Sequence, residues 1–597
     1  MTHIRYMARA VVALTAALVF ASSAAPGAGA AGDPDVAAWQ RNDRPDRLVV
    51  IRPRSVSLVE RGTVVRRLVP PAGVVPLSWL ATSTGGRWVA YDARDRSTVR
   101  VGAALLLTPN TILRVDERTR NVLMAAGTTA ASGTWIRGSR AALDIEGVTL
   151  TSVGADGSRP APADAPGRPY VAMGAEGRLD IRGSTITGFG REGRAVQSGV
   201  TWGRMSTGSV TFSTFDGNRT GLRLSGASGV TLREVTVQRS AGDGIVLGED
   251  RATTADGLTA QGNGGGGVVL DGGPDPRVLT GVVTRNNGKA GVRAVDQAGL
   301  RLESPVSHGD DSGIELVACT DCTVSWPTVH GTSRDALRVR GDGGRVTVER
   351  PRLNGNGHGT GIRLEPGTTV ARVTGGKVVG FARGIDVGGS HAEVADISLA
   401  DNRVGIGVGG RADRVSLQGL LIRGGHTGVT VGRGTRHVTL SGFGIKGAAS
   451  KGLVSASPGL RASAGRISGS TSSVVLQARA DLSGLTIDET HRAVHLSSGV
   501  RATGHDLDIL AQRRGIQTDH EARMDLTDSR VRAPMALTGD GRTERHGRTT
   551  VSLPPFPWLG VAALSALLLA AVLQTVHQVR HRRTPRPKVA THVRNTV

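Results

Sequence analysis

Three histidines near the middle of this 597-residue chain stand in similar company. His308-Gly309-Asp310-Asp311 is followed by His330-Gly331 with Arg334 and Asp335, and then by Asn356-Gly357-His358. Imidazole titrates near neutrality and can take or give a proton, a carboxylate can act as its partner, and a guanidinium can neutralise a substrate carboxylate. Side by side, His308, Asp310, Asp311, His330, Arg334, Asp335 and His358 would supply base, acid and cation for chemistry on a uronic acid. In that arrangement His308 or His330 is the expected base and Arg334 the carboxylate partner. The set requires no cofactor; a calcium ion is compatible with it, but no motif indicates one. Between the first two clusters lie the only cysteines, Cys319 and Cys322, in Cys-Thr-Asp-Cys. A zinc site would need a second pair, and in an exported chain a turn disulfide is the expected state.

These residues come together only if the elements carrying them stack. A phrase of the form Gly-Ile/Val/Leu-x-Leu/Val begins at Gly221, Gly244, Gly267, Gly291, Gly313, Gly361, Gly384, Gly405, Gly428 and Gly452, with weaker copies at Ala195, Ala336, Ser473, Ala493 and Gly515. From Gly221 onward successive starts lie 20 to 25 residues apart, a period that marks a solenoid. Each period holds two or three short alternating runs separated by Gly, Asn and Asp, with no helical periodicity, so the expected fold class is all-β, a parallel β-helix of about 15–16 coils with neighbouring strands about 4.8 Å apart. Asn218, Asn263, Asn287, Asn356 and Asn402 precede repeat glycines and are expected to form an amide ladder at a turn. Four prolines between Pro160 and Pro169 must leave the coil as a loop overhanging one face.

The ends read differently. Arg5 and Arg9, the apolar run Ala10–Ala21 and the small residues that follow form an expected signal peptide, 1–31. Residues 32–100, with Trp39, Trp79 and Trp88, read as an N-terminal module capping the solenoid, 101–540. A stalk, 541–555, leads to an apolar segment, 556–576, long enough at about 30 Å to span a membrane as a helix. The basic tail, 577–597, would stay cytoplasmic and place the rest outside the cell.

Composition limits the partners. Aromatics are 3% and Gly numbers 85, which suits stacked aliphatic coils better than a conventional globule. The formal charge is +23, yet no Arg run is interleaved with aromatics, so nucleic acid is not an expected partner. A diffuse positive field on an exported protein favours an acidic polysaccharide.

Several motifs carry a family resemblance. Leu105–Leu113 resembles the opening coil of bacterial mannuronan C5-epimerases of the alginate type, within the pectate-lyase-like superfamily of right-handed β-helices. Arg168-Pro169-Tyr170 resembles that family's Arg-Pro-aromatic after a Pro-rich loop, Thr207-Gly208 with Phe215 and Asn218 its entry into the repeats, and His330-Gly331-Thr332 its His-Gly-Thr turn. The resemblance spans about residues 100 to 460 and implies a right-handed helix acting on a uronic-acid polymer. It fails at the family's Asp-Pro-His-Asp, which follows a repeat Gly-Ile: here Gly244-Ile245 leads into Val246-Leu247-Gly248-Glu249 and Gly313-Ile314 into Glu315-Leu316-Val317-Ala318. Asp310-Asp311 and Gly357-His358-Gly359 are also similar to motifs of polygalacturonase-like hydrolases, but lie two coils apart where that family has one, and its Asn-Thr-Asp and Arg-Ile-Lys are missing. The expected function is therefore a membrane-anchored extracellular β-helix that binds a surface or exported polysaccharide. As an enzyme it would be an epimerase or lyase; otherwise it is a glycan-binding partner of an export machine, or an adhesin.

Overall fold

In a computed structural model, which describes residues 45–129, 132–273, 275–554 and 558–582, the chain winds into a parallel β-solenoid of about 20 turns. Each turn contributes one strand to each of three sheets. The Gly-Ile-x-Leu phrase forms the first sheet, where Ile245, Val268, Val292, Ile314, Leu337 and Ile362 pair in parallel, one above the next. All six are buried, and they form one aliphatic column of a core that runs the length of the solenoid. Strict in/out alternation puts the variable residue of the phrase on the outer face.

The glycine that opens the phrase is required by close approach between coils. A Cβ on Gly244 would stand 2.6 Å from the carbonyl oxygen of Gly267 and 2.8 Å from Asn263 Nδ2. Ala336, Ser473 and Ala493 occupy the same column, so small residues recur there although only some are glycine.

At the corner between the third sheet and the first, polar side chains turn inward and bond along the stack. The Ser240 amide donates to Asn263 Oδ1 at 2.9 Å, Asn263 Nδ2 donates to Asn287 Oδ1 at 2.9 Å, and Asn287 Nδ2 donates to Asp310 Oδ1 at 2.8 Å. Asn218 and Asn402 make the same kind of bond, accepting from the amides of Phe189 and Phe381. Asn356 departs from the expectation: it is exposed, because the turn from Asn354 to Thr360 is one residue longer than that from His330 to Asp335 and carries it out of the column.

The solenoid is longer than the expected 15–16 coils chiefly because full coils precede the repeat phrase, with Ala104–Leu107, Trp135–Ser139 and Tyr170–Gly174 each adding a first-sheet strand, and the flanking segments join it as well. Arg47–Arg52 lies parallel to Ala104–Leu107, and Val74–Pro76 lies parallel to Ile112–Val115. The antiparallel strands Ser55–Glu60 and Thr63–Leu68 edge this first turn, and the short helix Leu77–Ser83 buries Leu77, Leu80 and Ala81 against it. At the other end, Arg542–His546 and Thr550–Ser552 pair with Arg523–Thr527 and Arg530–Arg532, so the segment expected as a stalk continues the coils. A helix, Trp558–Arg582, follows; its stretch Val561–Val579 is long and apolar enough to cross a membrane and is unburied. The expected signal peptide, the start of the N-terminal module and the tail beyond Arg582 lie outside the described residues.

Asn287→Leu removes one acceptor and two donors from the inward ladder and leaves Asn263 and Asp310 short of partners. It is expected to cost about 2–4 kcal/mol, seen as a lowered midpoint in chemical unfolding.

Candidate functional site

The outer face of the third sheet carries Arg285, His308, His330 and Asn354 as direct neighbours on four successive coils. His308 is exposed and His330 half-buried. Their placement follows from the turn after them. Gly309 and Gly331 have φ of +68° and +65°, a left-handed conformation that glycine adopts without strain. The chain then reverses and sends Asp310 and Thr332 inward, each 1% exposed.

Asp310 is therefore part of the ladder. Its carboxylate accepts from Thr284 Oγ1 and Ser307 Oγ, both at 2.6 Å, and from the amide and Nδ2 of Asn287, both at 2.8 Å. It does not join the outward stripe expected for it. Asp311 faces out but is closed by Arg334, with Nη2 to Oδ2 at 2.7 Å and Nε to Oδ1 at 3.1 Å, while Ser333 Oγ donates to Oδ1 at 2.6 Å. Arg334, the expected carboxylate partner, is thus already paired. His358 stands exposed in the longer turn, and Asn354 holds the place beside His330 that His358 was expected to fill.

Asp335 lies past the corner, at the start of a first-sheet strand, with its side chain only 6% exposed and Arg363 Nη2 3.5 Å away. Burial raises its carboxyl above the ordinary value, and Arg363 acts in the opposite direction. Around it the variable position of the repeat phrase builds a charged column that sequence reasoning passed over: Arg293, Glu315, Arg338, Arg363 and Asp386 in register. Glu315 lies 3.3 Å from Arg293 and 2.9 Å from Arg340, and Arg338 Nε donates to Glu365 at 2.7 Å. A cavity of about 510 Å³ opens here, edged by Arg363, Glu365, Arg383 and Asp386. The signal was present in the x of each Gly-Ile-x-Leu; it is legible once that position is known to face outward. Of the two places where a catalytic motif was sought, Val246 is buried and Glu315 is held among guanidiniums.

Cys319 and Cys322 are two buried free thiols, in place of the expected disulfide. Both turn into the core, and the hydrogen bond between them together with burial drives the Cys319 thiol pKa upward. Near the N-terminal end, the Pro-rich loop overhangs the coil as expected and roofs a cavity of about 390 Å³. It is tied down by Arg168, whose guanidinium donates to the carbonyls of Gly188 and Gly217, each at 2.7 Å, and whose pKa burial lowers to about 10.

Comparison with known proteins bears on the scaffold. A family model described as a right handed beta helix region matches residues 169–387. The solenoid is a right-handed parallel β-helix. Similar solved structures include the periplasmic alginate epimerase AlgG, at 10% identity over 81% of this chain and 84% of that one, with a TM-score of 0.36. The A-module of the Azotobacter vinelandii mannuronan C-5 epimerase AlgE6 is 13% identical over 76% and 91%, with a TM-score of 0.25. A family 28 exopolygalacturonase from Yersinia enterocolitica is 10% identical over 88% and 90%, with a TM-score of 0.18. No curated protein matches the chain.

Asp335 binds its proton more tightly folded than unfolded, so its ionisation costs stability at neutral pH. The penalty is absent below the unfolded pKa, about 3.9, and grows as pH rises through the folded value. Asp335→Asn is expected to raise the thermal midpoint at pH 7 and to match the wild type in strong acid; a lower midpoint at pH 7 would mean that the Arg363 contact dominates. For the cysteines, dithiothreitol is expected to leave the melting curve unchanged, whereas a drop would reveal a bridge.

Proposed function

We propose that this β-helix binds an acidic polysaccharide along the outer edge where its third sheet meets its first. The observation that supports this most is the row Arg285, His308, His330 and Asn354, one residue per coil, about 4.8 Å apart. That spacing lets successive units of an extended polymer meet successive coils. Arg285 can pair with a carboxylate, the imidazoles offer ring nitrogens, and Asn354 offers both donor and acceptor to hydroxyls. The charged column of the first sheet continues the polar surface past the corner. In this reading the apolar helix Trp558–Arg582 anchors the protein in a membrane, with the solenoid on the outer side and the basic tail within.

A catalytic version, an epimerase or lyase on a uronic-acid polymer, would use His308 or His330 as base. In that case Arg285, rather than Arg334, is the available carboxylate partner, since Arg334 is engaged by Asp311. Binding without turnover is favoured by the surroundings of the imidazoles: among the described residues no carboxylate orients either ring, and Asp310 is consumed by the ladder. The adhesin reading requires neither glycan retention nor chemistry.

Full-length protein in detergent, passed over immobilised polymannuronate and polygalacturonate, is expected to be retained by at least one of them. His308→Ala combined with His330→Ala should weaken that retention about tenfold. Composition analysis of the recovered polymer separates an enzyme from a binder. Retention untouched by the double substitution would remove this row as the site.

A further inference from the structure

The second sheet carries a different surface with its own chemistry. Its outer column Arg301, Thr323, Thr347, Arg372 runs in register over four coils and floors an open groove of about 890 Å³. The floor thus sets two hydroxyls between two guanidiniums, and Arg301 makes no ion pair among the described residues. Glu349 lines the same groove and receives a hydrogen bond from Ser325 Oγ at 3.0 Å.

At the corner that ends this sheet stands Trp326, outside the groove's own lining but joined to it, since its amide donates to the carbonyl of the lining residue Glu349 at 2.8 Å. The side chain is 45% exposed, in a protein with only seven tryptophans. Its φ is +57°, a left-handed conformation that this corner imposes on successive coils: Gly281, Ser304, Arg350 and Gly375 have φ of +63°, +51°, +49° and +67°. Arg350, one coil on, lies over the indole at 4.5 Å and braces one face of the ring. On the other side the column continues with Ser304 and then Gly281, neither large enough to cover an indole.

We propose that this groove is a saccharide-binding site in which the indole of Trp326 stacks against a sugar ring, the threonines bond to hydroxyls, and Arg301 meets an acidic substituent. An exposed aromatic braced by a guanidinium and standing beside a row of hydroxyls fits a ligand with an apolar ring face and a polar periphery, and a sugar ring has both. The site goes beyond the His308–His330 row and uses none of its residues, so the two stand or fall separately.

The test is calorimetric titration of the full-length protein in detergent with a mannuronate hexamer and with cellohexaose. The acidic hexamer is expected to bind the wild type more tightly than cellohexaose does. Trp326→Ala and Arg301→Ala should each weaken it about tenfold, as loss of a central aromatic or arginine contact does. Trp326→Gly should weaken it equally while holding or raising the thermal midpoint, because glycine suits the backbone there; this separates lost contact from lost fold. Phe212→Ala serves as a control. Phe212 occupies the same corner column several coils earlier, is 58% exposed and has Arg233 over its ring at 5.9 Å, and its loss should leave affinity within twofold. The combined His308→Ala and His330→Ala variant should retain the groove's binding event. The proposal is overturned if neither hexamer binds, or if Trp326→Ala leaves affinity within twofold. Equal affinity for the two hexamers overturns the role given to Arg301. Loss of all binding in the double histidine variant, with Trp326→Ala unchanged, overturns the groove and leaves the histidine row standing.

Discussion

Coil-to-coil register is the constraint on which the rest of this molecule depends. Each strand takes its hydrogen bonds from copies of itself one turn away, so a residue's closest companions are the residues at the same position in the coils before and after it. Aliphatic columns satisfy that condition easily. Polar inward positions satisfy it only when donors and acceptors alternate along the column, because a buried polar group without a partner costs about 1–3 kcal/mol. Asn263, Asn287 and Asp310 meet it as a chain of amide and carboxylate.

That ladder divides the motif that draws attention in the sequence. In His308-Gly309-Asp310, glycine makes the turn, the aspartate completes the ladder, and only the imidazole is left for solvent. His330-Gly331-Thr332 divides in the same way, with Thr332 inside. A sequence element that looks like a cluster of catalytic groups is thus, in space, one outward group and one structural group separated by a reversing residue.

The outer surfaces obey the same register with a different result. On the first sheet, Arg and Glu from adjacent coils neutralise one another, as Glu315 does with Arg293 and Arg340. Their guanidiniums reach solvent while the Glu315 side chain is only 13% exposed, so water screens these pairs in part. On the third sheet, Arg285 stands next to His308 with no acid between them in the row. The protein's excess of arginine is thus spread among paired and open positions, and the proposed polymer site draws on an open one.

Much of the fold was legible from residue order. The alternation in Gly-Ile-Glu-Leu at Gly313 and its copies sets strand, facing and period, all of them local properties of the chain. The extra turns were not legible, because Trp135–Ser139 and Tyr170–Gly174, like the flanking Arg47–Arg52 and Arg542–His546, lack the repeat phrase and are placed only by the coils beside them. The cysteines misled because a two-residue spacing says nothing about whether both side chains enter the core. His358 misled because one additional residue in the turn after Asn354 carries the turn out of column before the chain returns to register at Thr360. What the sequence by itself determined was the parallel solenoid and the adjacency of His308 and His330, since equal spacing in a stacked repeat makes neighbours of equivalent residues. Only the tertiary structure decided that Asp310 points in, that Arg334 is taken by Asp311, and that Trp326 stands exposed at a corner with Arg350 over its ring. Each depends on which way the chain turns at a corner and on what the next coil presents there.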